Sequence, residues 1–427
     1  AGSDQQLTWY NCYVIPSAHD SRAGIVQTLS NMMEVMSRGG GVGINLSSLR
    51  PRHSYVRGVN GRSSGAVSWG ALYSFVTGLI EQGGCLTPDT LISTEKGLLR
   101  LDEIVTHSEK GWREHSLEVR TDEGPRHSRQ AFNNGEAEVL KVQTDMGLSI
   151  TGTPNHKVKV MTSQGPEWRS LGRLQTGDAI LVKLGQHQGE FQTLCQPRYE
   201  HHNQDHVELP EVLDEELAFF LGCLVGDGFV ATGEHDWRLG VTVAHSSYLM
   251  DEMPRLMATL FPGSNVRKQQ KPEDASVTYV ISNRAVKQFL QQNGFGKSSS
   301  AEACVPRLVR QSPPSVVGAF LRGLFEADGS PSHHYPSLTS TSQRLIDEVA
   351  ALLIGLSCPV RIDEAHLGSG RYGNLPKWRL RIHSFRGLRN WQSSVGCDSR
   401  SRFAACVDFE PDLSRETSYV LPEAEYW

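Results

Sequence analysis

The sequence predicts a multidomain α+β protein, and three observations support this fold class. Residues 1–84 combine a helical pattern of apolar residues with glycine-rich loops. At Cys85 the composition changes abruptly to short β-type runs separated by turns. Residues 210–395 contain two similar helical segments that each end in Asp-Gly. We therefore expect domains over 1–84, 85–184 and 210–395, a linker over 185–209, and a return to the second domain over 396–427.

Composition and charge exclude several classes of protein. The 427 residues contain no apolar run of the ~18 residues that a membrane span needs, and no signal peptide opens the chain, so we expect no membrane partner. Eight cysteines occur without a CxxC pair, which argues against a structural zinc site or a disulfide framework and fits a reducing cytoplasm. A net charge of −5 gives no general attraction to nucleic acid, so DNA binding would require a local basic surface. The chain begins at Ala1 rather than Met, which suggests a fragment.

The first segment contains a clear helical pattern and two loops suited to phosphate. Five apolar residues recur at helical spacing and predict a buried face, namely Ile25, Leu29, Met32, Met33 and Met36. Residues 67–80 predict a second, buried helix. The glycine-rich runs 37–45 and 57–65 would let backbone amides approach phosphate or ribose, although such a run can also be only a turn. The absence of a GxxxxGK[ST] pattern excludes a P-loop.

Four motifs of this segment resemble the catalytic subunit of ribonucleotide reductases, closest to the adenosylcobalamin-dependent class II enzymes. They are NCYVIPS, SRGGGVGINLSSLRP, RGVNGRSSGAVSWG and LIEQGG, in that order. The resemblance implies a fragment of an α/β barrel whose complete form binds nucleotides and adenosylcobalamin. It also implies a redox thiol at Cys12, a substrate loop with Gly39, Gly40, Gly41 and Asn45, and an effector loop with Asn60, Gly61, Arg62 and Ser63.

Two points limit this interpretation. By itself Cys12 could equally be a small buried apolar residue. The family's radical cysteine and the rest of its barrel do not follow in this sequence, so we do not expect the chain to reduce ribonucleotides as it stands.

Residues 85–184 predict an all-β segment with many reversals. The runs 98–101, 138–142 and 148–150 are β-type. Val158 and Val160 alternate with lysines, which predicts a half-buried strand.

The same segment carries groups that could cleave a peptide bond. Attack by a downstream thiol needs a nucleophile at the carbonyl, a general acid–base and a donor for the oxyanion. Cys85 supplies the thiol, and Gly84 leaves its carbonyl unobstructed. Thr153 and His156 lie on one tight turn, so we expect His156 to protonate the leaving amide nitrogen and Thr153 to hydrogen-bond near the same bond. Alone, His156 could be an ordinary surface histidine.

The motifs CLTPDTLI and GLSITGTPNHKVKV, with the later Trp168, Leu171, Leu174 and Gly177-Asp178, resemble inteins. The resemblance implies the all-β Hint fold and protein splicing that starts at the Gly84–Cys85 bond. An intein also needs a His-Asn ending followed by Cys, Ser or Thr, and residues 417–427 contain no His-Asn pair. We therefore expect the remainder either to be missing by truncation or to be supplied in trans.

Residues 185–209 are polar and histidine-rich, which predicts a solvated linker. A metal site formed by His201, His202 and His206 is the alternative.

Two helical segments then repeat one another and carry an aspartate at the same position. The first is LGCLVGDG, with Asp227, and the second is LRGLFEADGS, with Asp328. Small residues at matching positions would let the helices pack backbone to backbone and bring the two aspartates side by side. Adjacent carboxylates are costly unless a divalent cation neutralises them, and Mg²⁺ prefers oxygen ligands. Either aspartate alone would more often be a cap or turn residue.

A basic strand supports a DNA substrate. Lys377, Arg379 and Arg381 alternate with apolar residues, so one face of the strand is basic and the other is buried. A β-ribbon with a basic face can lie in a DNA groove. A solvated edge strand is the alternative.

These features resemble LAGLIDADG homing endonucleases in their two-motif, monomeric form. The resemblance implies an α/β two-repeat domain that cleaves double-stranded DNA, with Asp227 and Asp328 as catalytic metal ligands and Lys297 and Lys377 as further catalytic residues. We interpret the chain as the front of an intein-interrupted, vitamin B12-dependent ribonucleoside-diphosphate reductase with an embedded endonuclease. The alternatives are a non-splicing DNA-binding module with a degenerate nuclease, and a reductase proper.

Overall fold

The computed structural model describes residues 12–37, 41–79, 84–105, 110–197, 207–270, 275–297, 299–332, 334–365 and 376–409. The chain divides into two compact units. The first unit comprises residues 1–86, 138–140 and 152–181, and the second comprises residues 87–137, 141–151 and 182–427. Among the described residues, no helix has the length and apolar character needed to cross a bilayer.

The helices and strands follow one another in three groups. The N-terminal group contains β1 (Cys12–Ile15), α1 (Arg22–Ser37), β2 (Gly41–Ile44), β3 (Tyr55–Val56), β4 (Gly61–Arg62) and α2 (Ala66–Leu79). The second contains β5 (Leu91–Thr94), β6 (Gly97–Arg100), α3 (Leu101–Ile104), β7 (Gly111–Thr121), β8 (Gly124–Asn133), β9 (Leu140–Gln143), β10 (Ser149–Gly152), β11 (Lys157–Thr162), β12 (Gly165–Ser170) and β13 (Ala179–Ile180). The third contains α4 (Glu215–Asp227), β14 (Gly228–Val230), β15 (Arg238–Ala244), α5 (Leu249–Leu260), β16 (Val266–Gln269), β17 (Ser276–Ser282), α6 (Arg284–Gln292), α7 (Arg307–Arg310), α8 (Pro314–Asp328), β18 (Gly329–Ser332), β19 (Tyr335–Ser340), α9 (Gln343–Gly355), β20 (Val360–Ala365), β21 (Lys377–Ile382), α10 (Phe385–Ser394) and α11 (Ala404–Val407).

In the first unit, α1 and α2 share a small apolar core with the parallel strands β1 and β2. The predicted apolar face of α1 is confirmed at Ile25, Met32 and Met36, which are buried. Leu29 is partly buried against the same core. The prediction is wrong for Met33, whose side chain is 45% exposed because it points away from this core.

The prediction of a buried second helix is confirmed for one face of α2 and wrong for the other. Tyr73 and Val76 are buried, but Val67 and Phe75 are 87% and 65% exposed. Only one face of α2 packs against α1, where the Tyr73 hydroxyl donates to the Ile25 carbonyl at 3.0 Å. An apolar sequence therefore does not guarantee burial on all sides of this helix.

The first unit also contains the antiparallel sheet β12–β11–β13. Val158 and Val160 of β11 are buried, whereas Lys157 is exposed. The predicted alternation along this strand is confirmed.

In the second unit, two repeats share one topology. α4 precedes the sheet β14–β15–β17–β16, and α8 precedes the sheet β18–β19–β21–β20. In both sheets the fourth strand of the repeat lies between the second and third, and all neighbours are antiparallel. The buried faces of both sheets join a core that includes α4 and α8. The predicted two-repeat α/β architecture is confirmed.

The sheet β6–β5–β7–β8 of the second unit contains a long hairpin that hydrophobic patterning does not reveal. β7 and β8 are dominated by charged, histidine and small residues, so they lack a strong apolar alternation. The predicted strand 98–101 is shifted by one residue, because β6 spans Gly97–Arg100. Leu101 begins α3, where the Arg100 amide donates to the Glu103 carboxylate at 2.9 Å.

The prediction of a solvated linker is wrong for its first part. Leu194 is buried in the core, and His187 is only 7% exposed. The ring Nε2 of His187 lies 2.9 Å from the Ser312 carbonyl, which binds the segment to the turn before α8. His201, His202 and His206 lie outside the described residues.

Candidate active sites

The Gly84–Cys85 bond lies against the turn that follows β10. Leu86 forms an antiparallel bridge with Gly152, the last residue of β10. The Thr153 amide donates to the Cys85 carbonyl at 2.9 Å, and the His156 amide donates to the Thr153 carbonyl at 2.9 Å, which closes the turn. The backbone thus fixes the scissile bond beside both predicted helper residues.

The two helper side chains contact opposite ends of this bond. The Cys85 amide donates to Thr153 Oγ1 at 2.8 Å. His156 Nδ1 lies 3.1 Å from the Gly84 carbonyl oxygen. Because a carbonyl oxygen only accepts, this contact requires the proton to be on Nδ1.

The contacts assign the helpers differently from the sequence expectation. His156 faces the carbonyl oxygen and can stabilise a developing oxyanion. At the leaving nitrogen, the contact that the structure shows is with Thr153. Its hydroxyl accepts from the amide and can return a proton to that nitrogen once the bond has become pyramidal.

A second site lies where α4 and α8 cross. A Cβ on Gly222 would lie 2.1 Å from the Phe320 carbonyl oxygen, and a Cβ on Gly323 would lie 2.0 Å from that of Phe219. Only glycine permits such contact, so the helices meet backbone to backbone. At their ends, a Cβ on Gly226 would lie 3.5 Å from the Asp328 carboxyl carbon.

The structure brings Asp227 and Asp328 together at the ends of α4 and α8 as one acidic site that stays open to solvent. Desolvation by the surrounding protein, reinforced by the charge of Asp227, raises the pKa of Asp328 to about 6. Desolvation also raises the pKa of Asp227. Within the described ranges, no three His, Cys, Asp or Glu side chains converge as a metal-binding group. A cation here would therefore take two carboxylates from the protein, together with other oxygen ligands such as water.

Each helix end also carries a cation. Lys297 Nζ donates to the Val225 carbonyl at 2.6 Å and to that of Gly226. Burial lowers the pKa of Lys297, against the opposing charges of Asp328 and Asp227.

Arg402 occupies the matching place at the end of α8. Its guanidinium donates to the carbonyl of Ala327 at 2.9 Å, to that of Phe325 at 3.2 Å and to that of Glu326. It lowers the pKa of both aspartates, although burial outweighs this effect. Sequence reasoning missed Arg402 because it lies in the segment assigned to the second domain.

Lys377 is not among the described cations whose charge lowers the pKa of Asp227 or Asp328. Among the described residues, Lys297 and Arg402 are the cations that act on both carboxyls. Lys377 begins β21 with an exposed side chain.

The basic strand has the predicted alternation. Lys377 and Arg379 are exposed, and Leu380 and Ile382 are buried. The neighbouring strand β20 adds an acid that the linear sequence did not indicate. Asp363 accepts from Arg381 at 2.8 Å and from Arg361 at 3.0 Å, so part of the basic face is neutralised.

The structure brings together some of the residues that resemble those of ribonucleotide reductases. The register of β1 and β2 places Cys12 beside Gly41, so the predicted redox position adjoins the predicted substrate loop. The run 37–45 is a strand from Gly41 onward rather than a loop. Gly39 and Gly40 lie outside the described residues. Asn45 accepts from the Ser47 amide at 2.9 Å.

The predicted effector loop is a small hairpin. Gly61 and Arg62 form β4, which pairs with β3. Asn60 has a left-handed backbone with φ 47°, and the Tyr55 hydroxyl donates to its side chain at 3.0 Å. The Gly65 amide donates to Ser63 Oγ at 3.1 Å. These side chains shape the hairpin itself.

Two family descriptions match separate parts of the chain. Residues 10–87 match "Ribonucleotide reductase, barrel domain". Residues 315–396 match "LAGLIDADG-like domain".

Relatives align with different stretches. An A-type ATP synthase subunit of Pyrococcus abyssi is 25% identical over 282 residues, which cover 60% of this chain and 26% of that protein. The ribonucleoside-diphosphate reductase large chain of Cryptosporidium parvum is 35% identical over 74 residues, which cover 17% of this chain and 9% of that protein. The chain thus spans about a quarter or less of these two relatives.

Among solved structures, a variant of the homing endonuclease I-DmoI aligns with a TM-score of 0.32 and 17% identity, over 43% of this chain and 96% of that one. One polypeptide thus contains a segment that matches the ribonucleotide reductase barrel domain and, further along, a segment that matches a LAGLIDADG-like domain.

Proposed function

We propose that residues 85–184 begin an intein with a Hint-type fold that cleaves the Gly84–Cys85 bond by an N-to-S acyl shift. The observation that carries the proposal is the placement of His156 Nδ1 at 3.1 Å from the carbonyl oxygen and of Thr153 Oγ1 at 2.8 Å from the amide nitrogen. Each end of the scissile bond therefore has its own polar partner.

The reaction needs no redox partner. The Cys85 sulfur adds to the Gly84 carbonyl carbon, and His156 holds the resulting oxyanion. Over the whole step, the proton of the Cys85 thiol moves to the leaving nitrogen, which lies next to Thr153. The C–N bond then breaks, leaving a thioester on the Cys85 sulfur and a free amine on the same residue.

The comparisons support an inserted element. The reductase match ends at residue 87, close to Cys85. An alignment over 60% of the chain with a component of an ATP synthase must lie largely beyond that match. A segment shared by proteins with such different names is what an element inserted into several hosts would produce.

The purified chain should release residues 1–84 when a small thiol is added, because the thiol exchanges into the thioester. Replacing Cys85 by Ala should prevent release, and His156→Ala should slow it roughly a hundredfold by removing an oxyanion donor. Replacement of the exposed Cys195 by Ala is the matched control. Intact mass spectrometry measures the release, and release from the Cys85→Ala chain would contradict the mechanism.

We further propose that the LAGLIDADG-like domain is a Mg²⁺-dependent endonuclease for double-stranded DNA. The observation that favours it is the meeting of Asp227 and Asp328 at the ends of α4 and α8, where desolvation by the surrounding protein raises the pKa of both carboxyls despite the opposing charges of Lys297 and Arg402. These carboxylates would hold the metal, which supplies charge stabilisation to the phosphodiester and activates water. Lys297 and Arg402 hold the helix ends in place. Lys377, Arg379 and Arg381 would contact the DNA backbone.

The assay is Mg²⁺-dependent cleavage of a plasmid that carries the uninterrupted reductase gene. Retained DNA binding without cleavage would favour the alternative of a degenerate, non-splicing DNA-binding module.

Binding of Mg²⁺ should weaken as the pH falls below about 6, where Asp328 becomes protonated. The raised pKa means that the folded, metal-free protein holds this proton more tightly than an ordinary aspartate, so proton and metal compete. We expect roughly a tenfold loss of affinity per pH unit below that value. Calorimetric titration measures the affinity, and an affinity independent of pH across this range would contradict the assignment.

For the complete host we propose a reductase of the adenosylcobalamin-dependent class that acts on nucleotides. The support is the order of the four reductase motifs in residues 1–84. The downstream part of the intein and host would complete both the splicing reaction and the barrel, in cis or in trans.

A further inference from the structure

We infer that the cleavage site accepts only glycine on the carbonyl side of Cys85, so that its substrate class is a Gly–Cys peptide bond. The inference rests on the acyl shift proposed above and adds the identity of the acyl residue. It is carried by the packing of residue 84 against the turn that bears Thr153 and His156.

Residue 84 has no room for a side chain. A Cβ built on Gly84 would lie 2.1 Å from both the backbone N and the Cα of His156, and 2.3 Å from its Cβ. Ordinary van der Waals contact begins at 3.4 Å. The contacted atoms belong to the backbone or adjoin it, so rotation of the His156 side chain cannot relieve the overlap.

The turn is held in place from the other side. The Leu171 amide donates to the His156 carbonyl at 2.8 Å, and the Gly172 amide donates to the Pro154 carbonyl at 2.8 Å. The neighbouring Val158 and Val160 of β11 are buried. If the turn moved away from residue 84, these two hydrogen bonds would break and the packing of β11 would be disturbed.

The residues after position 84 are confined as well. A Cβ on Gly152 would lie 2.8 Å from the Cys85 carbonyl oxygen and 3.0 Å from Leu86 Cδ2. The stretch from Gly84 to Leu86 thus lies in close contact with the end of β10 and with the turn that follows it.

Any movement that relieved the overlap of a residue-84 Cβ with His156 would also slow cleavage of the bond to Cys85. Moving the Cβ from 2.1 Å to an ordinary 3.4 Å separates residue 84 from the turn by about 1.3 Å. The Gly84 carbonyl would then leave hydrogen-bonding distance of His156 Nδ1, which is now at 3.1 Å. A misplacement of about 1 Å can reduce a rate about a hundredfold.

The test compares thiol-induced release of residues 1–84 from the full chain and from Gly84→Ala and Gly84→Val variants. We expect both variants to be slowed about a hundredfold. Gly233→Ala is the matched control, because its Cβ would meet no atom closer than 3.4 Å and should leave release unchanged. Hydrogen exchange of the β11 amides reports whether the first unit of each variant stays folded.

Three outcomes are distinguishable. Slow release from a folded Gly84→Ala chain supports the inference. Release from Gly84→Ala within about threefold of the unmodified chain overturns it, even if Gly84→Val is slow, because the exclusion concerns the Cβ itself. No release from the unmodified chain would overturn the proposed acyl shift and this inference with it.

Discussion

Replacement of Asp328 by Asn is expected to reduce Mg²⁺-dependent DNA cleavage by at least about a hundredfold. The amide keeps the size of the side chain but removes a charge that would hold the cation, and metal-based charge stabilisation amounts to several kcal/mol. Asp227→Asn should have the same effect, because the two residues lie at the matching ends of α4 and α8. Cleavage of a plasmid target over time gives the rates.

The control for this prediction is Asp347→Asn. Burial likewise raises the pKa of Asp347 to about 6, but it lies on α9 near Lys141 and Asp89. If removing any aspartate with a raised pKa reduced cleavage, Asp347→Asn would reduce it as much as Asp328→Asn does. Equal losses in Asp328→Asn and Asp347→Asn, or full activity in Asp328→Asn, would refute the assignment of the metal site.

Replacement of Arg310 by Met is expected to destabilise the second unit by about 3–5 kcal/mol. Arg310 is 1% exposed and donates to the Leu98 carbonyl at 2.8 Å. It also donates to the two carboxylate oxygens of Glu103 at 2.7 and 3.2 Å. Its loss leaves a half-buried carboxylate without its cation, and the connection from α7 to β6 and α3 is lost with it.

The pH dependence of this interaction has a definite sign. Burial would raise the pKa of Glu103, but hydrogen bonds from Arg310 and from the Arg100 amide outweigh it and lower the pKa. The stabilisation is therefore present above the pKa of an ordinary glutamate and is lost as the pH falls through the lowered value.

Because the chain has two units, protection of the β6 amides from hydrogen exchange is a better measure here than one melting temperature. The double variant Arg310→Met, Glu103→Gln should recover part of the loss, since no buried charge is left unpaired. Arg126→Met is the exposed control, because the ion pair of Arg126 with Glu123 lies in solvent and contributes less than about 1 kcal/mol. A loss no larger than this in Arg310→Met would contradict the prediction.

Local chemistry made part of the structure predictable. The matched glycines of the two helices require close crossing, so the meeting of Asp227 and Asp328 follows from sequence. The alternation in β11 follows in the same way, because a strand buries every second residue.

Other features depend on contacts between residues distant in sequence. The side of the scissile bond that His156 faces is set by the register of Leu86 with Gly152, which no motif encodes. Arg402 reaches the end of α8 from far along the chain, and Asp363 reaches the basic face through strand pairing. Met33 fits a helical pattern but lies outside the narrow face that the small core covers.

The central claim is that Gly84 becomes a thioester on Cys85, and the most direct measurement identifies the new chain end. Hydroxylamine cleaves thioesters, so treatment of the full chain followed by tandem mass spectrometry should show a fragment ending in a Gly84 hydroxamate. The second fragment should begin with Cys85 bearing a free amine. A Gly84–Cys85 bond that stays intact, with no Gly84 hydroxamate, would contradict the account.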